Sequence, residues 1–328
     1  MAVIGVLIFG FLIFAVVNQW EELQRRDIRF DPIWLLPASL LLLTSMVYTA
    51  LGWDLVVRFL GYPLRPARAQ MIWGQSLLAR YVPGNVLYVV GRVMLVEREG
   101  VPRRIGLASM VYELVLQLSA AVIVASYFFI THPDLAGEPV RWAVLAVVPL
   151  ALLSLSPPVF APLSRRVLAR FGREPLPVVL PMRGVAVMLA YYTAAWVLVG
   201  LGIFFVARSV VDLPLAELPV VGSAQAFAFC AAVLSVVVPS GIGVRDGAFA
   251  WAVKIAVDGS FAVGAAIAIA VRVMLTLVEL VYVGAVSLVG HRAGVTDAAA
   301  LEGDAVDELE GGQREDAAEQ HPVAGQGG

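Results

Sequence analysis

Long apolar runs without charged residues recur along this chain of 328 residues. Most runs hold the roughly 20 residues that a helix needs to cross a bilayer at about 1.5 Å per residue. Hydrophobic residues make up 60% of the chain and charged residues 15%, whereas soluble domains have about 45–50% and about 25%. The sequence therefore predicts an all-α polytopic integral membrane protein and excludes a soluble enzyme.

Six of these runs are expected to be full transmembrane helices. Their approximate bounds are 2–18, 33–57, 105–130, 142–161, 184–208 and 259–290. A cleavable signal peptide is the alternative for the first run, but no basic segment precedes it and no A-x-A site follows it closely. Residues 1–292 are predicted to form the transmembrane domain, and the acidic residues 293–328 a disordered cytoplasmic tail.

Two further regions, residues 68–97 and 218–256, are apolar but interrupted. The first is broken at Pro-Gly-Asn and the second at Pro-Ser-Gly-Ile-Gly, so each is expected to form a re-entrant or broken helical hairpin. Non-helical backbone at membrane depth is tolerated only where it is buried in protein or lines a wet cavity. The two breaks are therefore candidates for a functional site.

The distribution of arginine orients this arrangement. With both termini inside, the inner segments hold twelve basic and three acidic residues, as the positive-inside rule requires. The two hairpins would then enter from opposite sides, which is the plan of an inverted repeat with a site near the midplane. Residues 162–173 fit either an interfacial helix on the inner leaflet or an ordinary basic loop.

The residues around the breaks suit a phosphate-bearing head group. The candidates at the first break are Arg80, Pro83, Gly84, Asn85 and Arg92, and those at the second are Pro239, Gly241, Gly243, Arg245 and Asp246. A helix that starts after a break offers free N–H groups and a partial positive charge to an anion. Arginine adds a bidentate fork that matches phosphate.

The alternative is that the charges at membrane depth pair with one another and only stabilise the bundle. Glu113 is the expected partner of Arg92 in that case, and Asp246 the expected partner of Arg245. Structural pairing is favoured for Asp54 with Arg58 and for Arg272 with Glu279, while a role in binding is favoured for Arg92 and Arg245. Glu113 is counted with the head-group candidates, and Arg80, Arg272 and Glu279 are secondary candidates.

Other side chains narrow the function further. Cys230 is the one cysteine and the three histidines are far apart, so no disulfide, metal site or haem site is expected, and no cofactor. No Walker-type loop, HExxH or GxSxG motif is present, so no catalytic constellation is predicted. Trp34 and Trp53 are expected near span ends as interface anchors.

Two segments carry a family resemblance. YVPGNVLYVVGRVMLVEREGVPRRIGLASMVYE resembles the first signature of the lysylphosphatidylglycerol synthase transmembrane-domain family, also called flippase-like, through Pro83, Gly84, Arg92, Gly100, Val101 and Glu113. VVPSGIGVRDGAF resembles its second signature through Pro239, Gly241, Gly243, Val244 and Asp246. The chain departs from the family pattern at Val86 or Leu87 (usually Gly), at Leu114 (usually Arg) and at Asp246 (usually Glu).

This resemblance implies a stand-alone bacterial inner-membrane member without the cytosolic domain that transfers lysine, since about 36 residues follow the last run. It implies passage of a phospholipid or isoprenoid-type lipid between leaflets, which would be passive or ion-coupled because no ATP site is visible. One alternative is a membrane enzyme that acts on lipid phosphates, with Glu113 or Asp246 as base. Another is a non-transporting partner of a glycosyltransferase or lipid synthase.

Overall fold

The computed structural model describes residues 30–79, 86–131, 156–170, 179–234, 244–256 and 261–292, with a few isolated positions between 142 and 154. In these residues the ordered elements are helices, and no strand is found. The α-helices, in chain order, are α1 Leu35–Phe59, α2 Pro66–Ala79, α3 Val86–Glu97, α4 Arg103–Thr131, α5 Pro157–Arg170, α6 Met182–Val210, α7 Leu218–Leu234, α8 Val244–Ala256 and α9 Phe261–Arg292.

Several of these helices are long and apolar enough to cross a membrane. The five stretches that qualify are Pro32–Phe59, Arg103–Thr131, Met182–Val210, Leu215–Val233 and Val263–Val289. Four of them confirm spans expected from the sequence, and together they confirm an all-α polytopic membrane protein. The expected run at 2–18 and the acidic tail lie outside the described residues, and the run at 142–161 is described only in part.

The outer surface of the bundle is apolar, as contact with lipid requires. Large hydrophobic side chains are exposed on α1 at Leu36 and Leu40, and on α9 at Leu280, Val281 and Leu288. The buried faces of the same helices also consist mostly of apolar side chains, from alanine and valine to leucine, methionine and tyrosine. Such helices are apolar on every side, which distinguishes a membrane bundle from the one-sided helices of a soluble protein.

The two interrupted regions form pairs of shorter helices. The first pair, α2 and α3, has 14 and 12 residues, so neither helix can cross a bilayer alone. The second pair, α7 and α8, has 17 and 13 residues, and α7 with the turn before it reaches spanning length. The break residues themselves, 80–85 and 235–243, lie outside the described residues.

The described helices form two units with the same order of elements. Each unit consists of a long helix, a hairpin of two shorter helices and a second long helix: α1, α2–α3 and α4 in the first, and α6, α7–α8 and α9 in the second. The packing follows the same correspondence, because α4 packs on α7 of the other unit just as α9 packs on α2. Helix α5 lies between the two units in the chain.

The first helices of the two units, α1 and α6, pack side by side in opposite directions. Trp34, at the start of α1, stacks on Phe205 near the end of α6, with ring centroids 5.7 Å apart. Farther along α1, Tyr48 stacks on Tyr191, which is nearer the start of α6, at 4.0 Å. Because α1 and α6 hold the same place in their units, this antiparallel packing has the geometry that an inverted repeat requires.

Each hairpin has its own hydrophobic core. The core around α2 and α3 includes Ala50–Leu60 of α1 and the following turn, the first half of α4, the first third of α6 and the last turns of α9. The core around α7 and α8 instead uses the start of α1, the end of α4, the last turns of α6 and the first half of α9. Both cores are thus built from both units, which holds the hairpins at opposite ends of the long helices.

The basic segment at 162–173 was expected to be an interfacial helix or a loop, and residues 162–170 are helical as part of α5. Residues 171–173 are not described. Phe160 anchors the start of α5 against Tyr112 of α4, with ring centroids 4.3 Å apart. Arg165, Arg166 and Arg170 are exposed on its second half. The helix therefore presents positive charge at the edge of the bundle.

Candidate functional site

Arg92, in the middle of α3, is completely buried, with 0% of its surface exposed. Its guanidinium donates hydrogen bonds from Nε to Ser76 Oγ (2.9 Å), from NH1 to Glu113 Oε2 (2.5 Å) and from NH2 to Tyr88 OH (2.7 Å). These partners come from α2, α4 and α3 itself. The first hairpin is thereby tied to α4 through one charged side chain.

Glu113, on α4, is 4% exposed and uses its two carboxylate oxygens differently. Oε2 faces Arg92, whereas Oε1 accepts hydrogen bonds from Trp73 Nε1 at 2.9 Å and from Gln117 Nε2 at 3.2 Å. Charge-assisted bonds of this kind are stronger than bonds between neutral groups. Each guanidinium nitrogen and each carboxylate oxygen of the pair therefore has at least one hydrogen bond, although both side chains are buried.

Aromatic rings surround the guanidinium. Its Cζ lies 4.7 Å from the ring centroid of Tyr88, 5.3 Å from that of Trp53 and 5.8 Å from that of Trp73. Cations within about 6 Å of an aromatic face are attracted by the negative face of the ring. The rings also exclude water, so Arg92 is stabilised as a cation by an acid and an aromatic cage together.

The sequence places these residues by helical spacing. Tyr88 and Arg92 are four residues apart on α3, as are Glu113 and Gln117 on α4, so each pair lies on one helix face. Trp73 lies three residues before Ser76 on α2. The spacing shows from the sequence which residues share a face of one helix. It does not show that the faces of α2, α3 and α4 meet, so the complete site could not be predicted.

One expectation about this region is wrong. Trp53 was predicted to be an interface anchor at a span end, but it is completely buried and donates from Nε1 to Ser109 Oγ at 3.1 Å. The physical reason is that the end of α1 is covered by α2 and α4, so a bulky ring there packs inside the bundle. Tyr88, Gln117 and Ser76 were not anticipated as parts of the site.

Tyr192, on α6, contributes an unsatisfied polar atom to the same region. It is 0% exposed, and its hydroxyl has no hydrogen-bond partner among the described residues. It lies within electrostatic reach of Glu113 and Arg92. A buried hydroxyl without a partner is costly unless a water or ligand atom completes it.

The other charged pairs were expected to be structural. Asp54 and Arg58 confirm this expectation, with Oδ2 and Nε 2.7 Å apart. Arg58 also donates to the Leu64 carbonyl, so this pair fixes the turn after α1. Arg272 is half-buried and Glu279 buried, both on α9, and their pairing with each other remains a prediction.

Most candidates at the breaks fall outside the described residues. These are Arg80, Pro83, Gly84, Asn85, Pro239, Gly241 and Gly243. Arg245 is half-buried in the first turn of α8. Asp246 lies in the same turn, and only its backbone is described. Of the predicted site residues, the structure thus brings together Arg92 and Glu113.

The corresponding positions of the second unit carry no polar group. Ser76, Arg92 and Glu113 are the eleventh residue of α2, the seventh of α3 and the eleventh of α4. The same positions of α7, α8 and α9 hold Ala228, Ala250 and Val271, which are all buried. These three positions of the second unit therefore do not repeat the buried Arg92–Glu113 pair.

The described residues contain no group of three His, Cys, Asp or Glu side chains that could hold a metal ion. Cys230 is buried and forms no disulfide. The contacts seen at the Arg92 site are charge pairing, hydrogen bonding and cation–π contact.

Comparison with known families identifies the family of the chain. The family model described as the lysylphosphatidylglycerol synthase TM region matches residues 2–298. The chain belongs to this family. No curated protein and no solved structure matches it.

The geometry gives a physical reason for the first signature of the lysylphosphatidylglycerol synthase TM family as it stands in this chain. Arg92 and Glu113 form the buried pair, and the Gly-Val turn between them reverses the chain from α3 to α4. Gly100 has φ +82°, a left-handed conformation that glycine adopts without strain. Val101 is 2% exposed and packs in the core beside the hairpin.

Proposed function

We propose that this protein binds the head group of a phospholipid or isoprenoid-type lipid and moves that lipid between the leaflets. The observation that carries the proposal is the Arg92–Glu113 pair, buried beside a broken hairpin in one of two similarly built units. A charged side chain at the bilayer centre costs about 2.5–3.5 kcal/mol by insertion scales. Ionisable groups kept at such depth commonly mark a substrate or ion pathway.

The proposed head-group site joins Arg92 to the helix starts that follow the two breaks. α3 begins at Val86 and α8 at Val244, each directly after a break. The first N–H groups of a helix have no partner within it and carry a partial positive charge. Arg92 and Arg245 would add guanidinium forks suited to phosphate oxygens.

Movement of the lipid would follow from the two-unit construction. In transporters built from inverted repeats, one unit shifts against the other around a fixed site and exposes it to alternate sides. We place the protein in a bacterial inner membrane with both termini in the cytoplasm. The exposed Arg165, Arg166 and Arg170 of α5 would then lie on the cytoplasmic side.

A translocation assay in vesicles tests this function. Purified protein is reconstituted into vesicles that carry a trace of fluorescent phosphatidylglycerol in both leaflets, and dithionite bleaches the outer leaflet only. We expect the wild type to expose inner-leaflet label to bleaching, and Arg92→Lys to slow that exposure, because an ammonium lacks the planar fork. Arg103→Lys is the matched control, since Arg103 pairs with Glu97 at the exposed surface.

The outcome separates the alternatives. Translocation would be contradicted if the inner-leaflet label of wild-type vesicles were as protected from dithionite as that of protein-free vesicles. Release of phosphate or head group by the pure protein would instead assign an enzyme that acts on lipid phosphates. Translocation or lipid retention that requires an added synthase or glycosyltransferase would assign a partner protein.

A further inference from the structure

The buried site has no net charge. Arg92 and Glu113 cancel each other, and the groups that hydrogen-bond to them are a serine, a tyrosine, a tryptophan and an amide. Among the described residues, the other ionisable side chains within electrostatic reach of this pair are Tyr88 of α3, Tyr192 of α6 and Tyr282 of α9. All three are tyrosines, so none of them is a second cation for Glu113.

Binding of an anionic lipid would upset this balance. A phosphodiester that takes Arg92 as its partner carries one negative charge, and it leaves Glu113 without the cation that now stabilises it. Glu113 and the phosphate would then share Arg92 in a region that excludes water. Arg245, the guanidinium proposed for the other hairpin, lies in the first turn of α8 and is not among the groups that hydrogen-bond to Glu113 in the described structure. Like charges at a shared buried site are strongly disfavoured, and the site lowers its energy when one of them takes up a proton.

The hydrogen bonds of Glu113 suit such a proton. Oε1 is held by Trp73 and Gln117, which are both neutral donors on fixed helices. In the described structure, Oε2 accepts its hydrogen bond from Arg92. Oε2 is therefore the oxygen that loses its partner when Arg92 binds a ligand instead. A proton on Oε2 leaves both Oε1 bonds intact. The Tyr192 hydroxyl, which lacks a partner among the described residues, lies within electrostatic reach of Glu113.

We propose, on the basis of the proposed translocation, that Glu113 carries one proton with each anionic lipid that crosses. Protonation at Oε2 releases Arg92 to the phosphate, so the loaded site holds a neutral carboxylic acid and a phosphate–arginine pair and has no net charge while the two units shift around it. After the lipid leaves, the proton is lost to water on that side and the Arg92–Glu113 pair forms again. The site therefore binds a proton together with the lipid, and transport of the two moves no net charge.

A pH gradient across vesicles tests this coupling. Wild-type vesicles receive a trace of fluorescent phosphatidylglycerol and a more acidic exterior, with the membrane potential held at zero by valinomycin and equal potassium. One proton per lipid predicts a ratio of inner to outer labelled lipid of about tenfold for one pH unit, because the two gradients balance at equilibrium. Glu113→Gln cannot carry the proton, so its ratio should stay near that of protein-free vesicles.

Glu97→Gln is the matched control, because Glu97 pairs with Arg103 at the surface and should leave the gradient response unchanged. Lipid that redistributes without any response to the pH gradient would overturn the proton coupling and leave the proposed translocation standing. A wild type that moves no lipid under any condition would instead overturn the translocation itself.

A measurement on the wild type alone covers the case in which Glu113→Gln does not fold. Calorimetric titration of the detergent-solubilised protein with short-chain phosphatidylglycerol, in two buffers of different ionisation enthalpy, counts the protons taken up on binding. The coupling predicts that about one proton is taken up for each lipid bound. Binding without proton uptake would contradict it.

Discussion

Gly200 on α6 lies directly against Gly222 on α7. A Cβ atom added to Gly200 would be 3.0 Å from the Gly222 carbonyl oxygen and 3.1 Å from its Cα. The atoms that it would meet are backbone atoms of a packed helix, so they cannot turn away as a flexible side chain could. The contact fixes the second hairpin to the long helix that runs antiparallel to α1.

Gly200→Ala is therefore expected to destabilise the protein by about 1–3 kcal/mol, as overpacking in a well-packed core does. Gly284→Ala is the matched control, because no atom lies within 4 Å of its added Cβ and alanine favours helix by about 1 kcal/mol. Thermal unfolding in detergent measures both. Equal melting temperatures for the two variants would contradict the close approach of α6 and α7.

The Arg92–Glu113 pair predicts a strong coupling between two substitutions. Arg92→Gln or Glu113→Gln alone leaves one buried charge without its partner, which is expected to cost about 3–5 kcal/mol. The double variant removes both charges and should recover most of that loss. Thermal unfolding of the wild type, both single variants and the double variant measures this coupling. A stability loss in the double variant equal to the sum of the two single losses would contradict the buried pair.

The exposed pair of Arg103 and Glu97 serves as a control for this cycle. Its atoms are 2.6 Å apart, but the side chains are 68% and 40% exposed. Exposed pairs contribute roughly 0–1 kcal/mol. Arg103→Gln should therefore change stability little, although it removes an ion pair of similar length.

The unsatisfied hydroxyl of Tyr192 predicts a separation between stability and binding. Tyr192→Phe should not lower the free energy of unfolding, because the hydroxyl makes no hydrogen bond in the described structure. Tyr112→Phe should lower it by about 1 kcal/mol, since its hydroxyl accepts from the Leu180 N–H at 3.2 Å. If the stable Tyr192→Phe protein retains less co-purified lipid, the hydroxyl contacts the lipid. Unchanged retention would exclude such a contact.

Much of the fold could be predicted from the chain because the bilayer sets the length of a spanning helix. The runs that became α1, α4, α6 and α9 were predicted within a few residues, and the two hairpins were placed by their Pro-Gly breaks. The opposite entry of the two hairpins was inferred from charge in the loops, whereas the packing of α1 on α6 was not predicted. The direct evidence, such as Tyr48 stacked on Tyr191, joins residues far apart in the sequence.

The candidate site was predicted in part. Arg92 and Glu113 stood out because charges in apolar runs are rare, and their pairing was one of the two alternatives considered. The aromatic cage was missed because tryptophan and tyrosine are also common at membrane interfaces, so their type alone does not distinguish the two environments. Trp53 was misassigned for that reason.

The predicted topology can be tested by cysteine labelling. In a Cys230→Ser background, a membrane-impermeant thiol reagent added outside should label Gly137→Cys but not Ala169→Cys. The reason is that the exposed arginines around Ala169 on α5 favour the cytoplasmic side. Labelling of Ala169→Cys and not of Gly137→Cys in intact cells would contradict the proposed orientation.

The most direct test of the head-group site is native mass spectrometry of gently extracted protein. The comparison is between the wild type and the Arg92→Gln/Glu113→Gln double variant, which is expected to remain folded because no buried charge is left alone. The account predicts a phosphate-bearing lipid bound to the wild type and lost from the folded double variant. Equal retention of the same lipid by both proteins would contradict a head-group site at Arg92.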